Sequence, residues 1–508
     1  MSTITNTELS PPIATKLSFG TKLAFGSGAV AEAVYHGLFN TFITIFYNQA
    51  IGLSNTLIGV AIMLAMIGDA LTDPLVGIVS DRWRSKHGRR HPFLFVAPIP
   101  LALMIYCIFN PPEMLISGVD GANQWGLFAW LAITTILSRA FLTLYHVPHL
   151  ALGGELSKDQ FQRSQLFSTN TIVGYISGAS FGFVAWSYFF AGERIRESDG
   201  QLVPGHLDFA AYAPLIFFAC ALVIIAIWAC AALTYRHIPH LSTAPEPEGR
   251  LTPLVFYKEI LSTFKNRNYV LLLVGFFFFM IASGIYDTAN AFVYTYLWEL
   301  KPEQIRWLGL IGAPAALMGA LASPLLMRRF DRKPVMVCAM AGITVFAQLV
   351  INMRLLGWMP ANGDPLLLPL LLASAFCFVF FLGVASVAVL GMIGDIIDEN
   401  ELLTGLRQEG LYYSARAFFS KASYSFGHLF AGVMLDLFVH LPFEAVPGQL
   451  DEGTLTRLGL MAGPIMGIAA IFSLLIYSHY DLTKQRHSKI LDELEARSAS
   501  NDLLEPEK

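Results

Sequence analysis

The chain has 508 residues, 55% hydrophobic and 14% charged, with a formal net charge of −4 at pH 7. Apolar runs of about twenty residues recur along it, each long enough to cross a bilayer, and this excludes a soluble globular protein. The five cysteines all fall inside those runs without metal-ligand spacing and read as small buried hydrophobes.

Twelve spans are expected, at about 22–49, 55–80, 93–110, 125–155, 164–191, 210–235, 268–298, 305–327, 335–355, 366–394, 411–440 and 455–478. Residues 1–20 are polar and lack the apolar core of a signal peptide, so they are expected to remain as an N-terminal tail. The loop after span two carries Arg82, Arg84, Lys86, Arg89 and Arg90, and the loop after span eight carries Arg328, Arg329, Arg332 and Lys333. Residues 111–124, on the other side, hold no Lys or Arg. The positive-inside rule therefore predicts that both termini and the central loop are cytoplasmic. The polar stretch 237–267 divides the chain into a six-span unit over 21–236 and a second over 268–478, followed by a tail at 479–508.

Span one carries Glu32 and His36 beside Tyr35. Span two carries Asp69-x-x-x-Asp73-Pro74, and its i, i+4 spacing puts both carboxylates on one helical face. Counting from Asp81 at 1.5 Å per residue, Asp69 lies about 18 Å and Asp73 about 12 Å inside the membrane. Charges there are costly and like charges repel, so a shared cation or proton is the expected resolution, against the plainer reading of an ion pair with a base elsewhere. Thr72 adds a hydroxyl, and Pro74 frees the carbonyl of Ala70, so these groups are expected to contribute oxygen ligands. Span four presents Arg139, Thr143, His146 and His149. His146 is a candidate proton carrier and Arg139 a candidate partner of the acids or of substrate. Gly174, Gly178 and Gly182 in span five form a small-residue seam that is expected to serve packing.

In the second half, Asp287 and Asn290 stand near Tyr286 and Tyr294 in span seven, and Arg416 and Lys421 lie in span eleven. Lys421 sits at a depth near that of the acids, so it is a candidate competitor of the coupling ion. Glu32, His36, His146, Asp287, Asn290 and Arg416 form the candidate substrate set, since planar polar groups and aromatic faces suit a sugar. Asp395, Asp398 and Arg407 cluster where spans ten and eleven meet and, with Arg82, Arg89 and Arg90, are expected to form a cytoplasmic gate between the halves. No phosphate-binding glycine loop, nucleophile elbow or metal-spaced cluster appears, so neither an enzyme nor a resident cofactor is expected.

Gly77-x-x-x-Asp81-Arg82 followed by Gly88-Arg89-Arg90 resembles the major-facilitator loop signature, with residues 83–87 inserted. Together with Asp69-x-x-x-Asp73-Pro74, Asp395-x-x-Asp398, Arg407-x-Glu409-Gly410 and Lys421, it resembles the glycoside–pentoside–hexuronide:cation symporters, the melibiose-permease group, over about residues 20–480. The resemblance implies an all-α membrane protein with twelve transmembrane helices in two pseudo-symmetric halves. It places Asp69, Asp73 and Thr143 at the cation site and Lys421 as their basic partner. Asp69 and Asp73 would be the metal ligands if the ion is Na⁺; Thr72 replaces an amide of the sodium-coupled carriers, which leaves Na⁺ or H⁺ open. The family's sugar-site acids on spans one and four read Ala33 and His146, and its span-five arginine reads Thr171. With Arg139, His146 and Arg416, the pocket is expected to lean basic, towards an anionic sugar such as a hexuronide.

The leading expectation is therefore a monomeric, cation-coupled importer of a sugar, glycoside or sugar acid in the inner membrane, with no nucleic-acid partner. A lysolipid or amphiphile carrier of the same fold, and a transporter-like sensor that no longer cycles, are the alternatives.

Overall fold

The structure, a computed structural model, describes residues 17–116, 123–157, 159–196, 198–240, 263–406 and 408–502. Among them, twelve helices are long and apolar enough to cross a membrane. They are α1 (Phe19–Ile51), α2 (Asn55–Arg82), α3 (His91–Ile116), α4 (Gln124–Glu155), α5 (Phe161–Phe189) and α6 (Phe209–Pro239) in the first half. The second half holds α7 (Arg267–Leu297), α8 (Pro302–Arg329), α9 (Arg332–Leu355), α10 (Leu367–Thr404), α11 (Glu409–Val439) and α12 (Glu452–Ser478). Short polar side chains start several of them: Asn123, Asp159, Asn266 and Asp451 each accept a hydrogen bond from an amide of the first turn, supplying partners the helix lacks there. Gly52 and Gly405, at φ 88° and 74°, end α1 and α10 in the left-handed conformation that glycine adopts without strain.

Three features go beyond the apolar pattern. α10 continues ten residues past the expected end at 394, because Ile396 and Ile397 keep one face buried. An amphipathic helix α13 (Lys484–Asp502) follows α12, and a two-stranded antiparallel sheet, β1 (Glu193–Ile195) and β2 (Leu202–Pro204), lies between α5 and α6.

The same neighbour relations recur in both halves. α2 packs on α4 as α8 packs on α10, α1 on α5 as α7 on α11, and α3 on α6 as α9 on α12. The halves meet through α2 and α11, α5 and α8, and α1 and α7. Between α2 and α11 the backbones touch: a Cβ on Gly59 would lie 2.9 Å from Leu429 Cα, and one on Gly432 would overlap the Asn55 carbonyl.

The buried core is uneven along the long axis. One apolar cluster joins residues of both halves, from Tyr35, Phe46 and Trp186 to Tyr296, Trp298 and Leu435. Its second-half members lie at the end away from the Arg82–Arg90 loop, whereas in the first half it runs on to Leu94, Leu152 and Ala231 near that loop. At the end bearing that loop, the basic end, a second cluster from Tyr269 and Val335 to Tyr412 and Tyr477 belongs to the second half alone.

Candidate ion-coupling and substrate site

Pro74 lies inside a continuous α2, so Asp69 and Asp73 stay one turn apart on one face. That face meets α4 and α11. Arg139 Nη1 lies 2.9 Å from Asp69 Oδ2, and Thr143 Oγ1, 2.6 Å from Asp69 Oδ1 and 3.0 Å from Asp73 Oδ1, shares its one proton between the two acids. From the other half, Lys421 Nζ stands 2.8 Å from Asp69 Oδ2 and 2.5 Å from Asp73 Oδ2. Every carboxylate oxygen of the pair thus lies within reach of a protein donor, and two acids balance two bases. A pair of like charges in hydrocarbon is tolerable only on these terms.

The two acids differ. Asp69 is 5% exposed and shares its half with Arg139, whereas Asp73 is 32% exposed and its counter-charge arrives on α11. The expected sharing of an external cation is therefore replaced in this conformation by sharing of the Lys421 ammonium, and Arg139 neutralises Asp69. The Thr72 hydroxyl does not face the acids. It donates to the carbonyl of Asp69, 3.1 Å away, as helical threonines commonly do towards a carbonyl one turn back. Among the described residues, no group of three or more His, Cys, Asp or Glu could hold a metal ion.

Glu32 and His36 of α1 and His146 of α4 come together, with His146 Nε2 3.3 Å and His36 Nε2 3.9 Å from Glu32 Oε1. His149 is structural: it approaches the Phe25 carbonyl at 3.0 Å and stacks on Phe25 and Tyr145.

Between the halves lies a cavity of about 530 Å³ lined by α1, α5, α7, α8 and α10. Asp287 and Asn290 face it, with Tyr286 and Tyr294. Gly174, Gly178 and Gly182 also border it, so the seam packs against Ala29 and Ala33 of α1 and shapes the cavity as well. Arg416 is not in the lining. Its guanidinium lies 4.7 Å from the centre of the Phe276 ring, a cation–π contact nearer the basic end. Thr171 donates to its own helix at Phe167. The expected basic lean is absent, because Arg139 is matched by Asp69, His146 by Glu32, and Arg416 lies elsewhere.

Two of the expected gate residues, Arg90 and Asp395, are held by partners within their own halves. Arg90 bonds Glu155 at 2.8 Å, Ser80 at 2.7 Å and Asp81, all in its own half, and Arg89 also reaches Glu155. Arg82 ends α2 on the exposed surface. Asp395 pairs with Arg332, and His487 of α13 reaches both Asp395 and Asp398, at 3.3 and 2.9 Å. The acids sit on the extended α10, where a neighbouring arginine and the C-terminal helix reach them first. Arg407 lies outside the described residues.

Residues that the sequence did not single out close the opposite end. Asp436 of α11 accepts from Ser54 Oγ (2.6 Å), Asn55 N (3.1 Å), Asn55 Nδ2 (2.9 Å) and Thr56 N (2.7 Å), capping α2 from the other half. Gln49 Oε1 accepts from Tyr296 and from the Ala445 amide, and Arg196 reaches the Glu444 carbonyl. His206, buried against Trp186 and Phe190, contacts Thr295 Oγ1 at 2.8 Å, and burial lowers its pKa from 6.5 to about 3. The signal for Asp436 was an acid in an otherwise apolar run, opposite the exposed amides of Ser54-Asn55-Thr56. Tyr424, which donates to Asp287, stands at i+3 from Lys421 and was passed over among 18 tyrosines.

Twelve helices in two matched halves around a central cavity, with a charge pair shared between the halves, define a solute carrier that spans the membrane repeatedly. Residues 24–484 match the family described as MFS/sugar transport protein, and the chain belongs to that family. An uncharacterized symporter of Synechocystis is 25% identical over 96% of this chain and 99% of its own length. The putative glycoside/cation symporter YagG of Escherichia coli is 22% identical, covering 94% of this chain and 95% of its own. The inward open xylose transporter XylE from E. coli superimposes with TM-score 0.60 over 94% of this chain and 99% of its own, at 14% identity, and so shares the fold.

Proposed function

We propose that the protein is a cation-coupled symporter that imports a sugar or glycoside by alternating access. The carrying observation is the Asp73–Lys421 contact, in which the acid more open to its surroundings draws its counter-charge from the other half. Arg139 offsets one acid permanently within the first half. The second acid is offset by Lys421 or, when the ammonium withdraws, by Na⁺ or H⁺. Asp69, Asp73 and Thr143 then present five oxygens, a donor set suited to a hard cation. Occupation of the site by an ion and its occupation by Lys421 exclude each other, so ion binding removes the mid-membrane tie between α2 and α11.

Substrate occupies the cavity between the halves, as the names of the sugar and glycoside carriers it resembles support. Its Tyr286, Asn290 and Asp287 lining suits hydroxyls flanked by aromatic faces. By the positive-inside rule the basic end and both termini are cytoplasmic in an inner membrane. The conformation described, clasped at the opposite end, is then inward-facing. The cavity's largely apolar lining is the one observation favouring an amphiphile carrier. The exchangeable charge pair argues against a sensor that never cycles.

Uptake into proteoliposomes under an imposed Na⁺ or H⁺ gradient tests the reading. Gradient-driven accumulation of a sugar or glycoside is expected, falling to background in Asp73→Asn while counterflow exchange persists. Undiminished accumulation by that variant refutes the coupling role.

A further inference from the structure

The cavity's polar groups are sorted by kind. Among the described residues, Asp287 is the single charged side chain in the lining. Tyr424 donates to its Oδ2, while Oδ1 has no protein donor and is left to face the cavity. Asn40 also lines the cavity, and its Oδ1 is buried without a partner. Both are acceptors awaiting donors, and an unmatched buried acceptor costs stability until a ligand supplies an O–H or N–H. Among the described residues, no base stands in the lining beside them: Arg139 and Lys421 face the α2 acids, Arg416 lies over Phe276, and Arg306 of α8 lies against Phe183 and Trp307 and reaches Ser187.

The apolar part is organised too. Tyr286 and Phe378 stand with ring centres 4.9 Å apart beside Asp287, a surface for the C–H face of a sugar ring. Phe42 and Trp186, 5.4 Å apart, close the cavity towards the opposite end on the side of the first half. A volume of about 530 Å³ exceeds what a lone hexose fills and lies within the range of drug-sized sites.

We propose that the cavity selects an uncharged glycoside bearing an apolar aglycone and rejects anionic sugars, with Asp287 as the specificity-determining residue. This rests on the transport reading above. The sugar hydroxyls donate to Asp287 and Asn40, and the aglycone packs against the Phe42–Trp186 end of the cavity. A carboxylate or sulfonate on the ligand meets the Asp287 charge in a medium of low dielectric with no base in the lining to offset it, and binding is weakened accordingly.

Calorimetric titration of the purified full-length protein with p-nitrophenyl glucoside, galactoside and xyloside, p-nitrophenyl glucuronide and the free sugars tests this. At least one uncharged aryl glycoside is expected to bind roughly tenfold or more tightly than both the glucuronide and its own free sugar. Asp287→Asn should narrow the gap to the glucuronide by about tenfold, whereas Asn290→Asp, adding a second acid, should widen it by a similar factor. Should Asp287→Asn fail to fold, the Asn290→Asp arm still decides. Glucuronide binding as tight as that of the glycosides, or ratios unmoved in both variants, overturns the proposal and leaves the transport reading standing. Binding of no sugar at all, or of a lysophospholipid alone, overturns both.

Discussion

Helices α2 and α11 join the two halves twice, and the two junctions are built on opposite principles. At mid-membrane the tie is Asp73–Lys421, two mobile side chains about a third exposed, 2.5 Å apart. At the opposite end, Asp436 receives two backbone amides and two side-chain donors from the first turn of α2, on backbones that Gly432 and Gly59 bring into contact. The first is a contact between two side chains and can part without moving any backbone. The second can be released only by separating the helices. A carrier needs both kinds: one that reads site occupancy and one that holds the alternative conformation until enough free energy is available to open it.

The largest effect should come from separating the two bases of the coupling site. Arg139→Gln leaves two acids to one base, Lys421, with the deeper acid short of its partner, and is expected to cost about 3–5 kcal/mol, read as a fall in Tm that Asp69→Asn restores in the double variant. Lys421→Gln removes a contact from both acids but leaves Asp69 matched by Arg139, so that only the more exposed Asp73 loses its base and about 1 kcal/mol or less is expected. Its transport defect should nevertheless be as deep as that of Asp73→Asn. Equal destabilisation by the two substitutions would erase the distinction between a permanent and an exchangeable counter-charge.

The sequence carried the parts of this site that depend on one helix at a time. The i, i+4 acids, the depth of Lys421 and the presence of Asp287 and Asn290 in span seven follow from spacing and hydropathy, as do the twelve spans. What depends on which helix faces which was not legible. Arg416 and Lys421 are five residues apart on one helix, yet Lys421 points at α2 while Arg416 packs on Phe276 of α7. Thr72 adjoins an acid in sequence but bonds its own backbone. That α13, a helix hidden in a polar tail, places His487 between the acids of α10 was not legible either. Asp436 is an ordinary polar residue in an apolar run until the start of α2 is placed against it.

The clasp at the opposite end should respond on a smaller scale. Asp436→Asn keeps the shape but removes the charge that caps α2, a loss of about 1–2 kcal/mol from the clasped conformation. That corresponds to a shift of roughly 5–30-fold in the balance between conformations. Labelling of Thr41→Cys, in a background without the native cysteines, by an impermeant thiol reagent added from that side should rise accordingly. Lys421→Gln should not reproduce the rise at zero ion gradient if the two junctions act separately.

The smallest effect is set by His206. Its pKa is lowered from 6.5 to about 3 by burial, so the clasped state prefers the neutral imidazole. A conformation or an unfolded chain that exposes the ring binds a proton below about pH 6.5 while the clasped state does not. The clasp therefore loses stability as pH falls from 6.5 towards 3, and above 6.5 the term vanishes. The same labelling experiment at descending pH should show accessibility increasing below pH 6.5 in the wild type. In His206→Gln, whose amide can still reach Thr295 but cannot titrate, the pH dependence should flatten. A profile unchanged by that substitution would refute His206 as the source of the acid sensitivity.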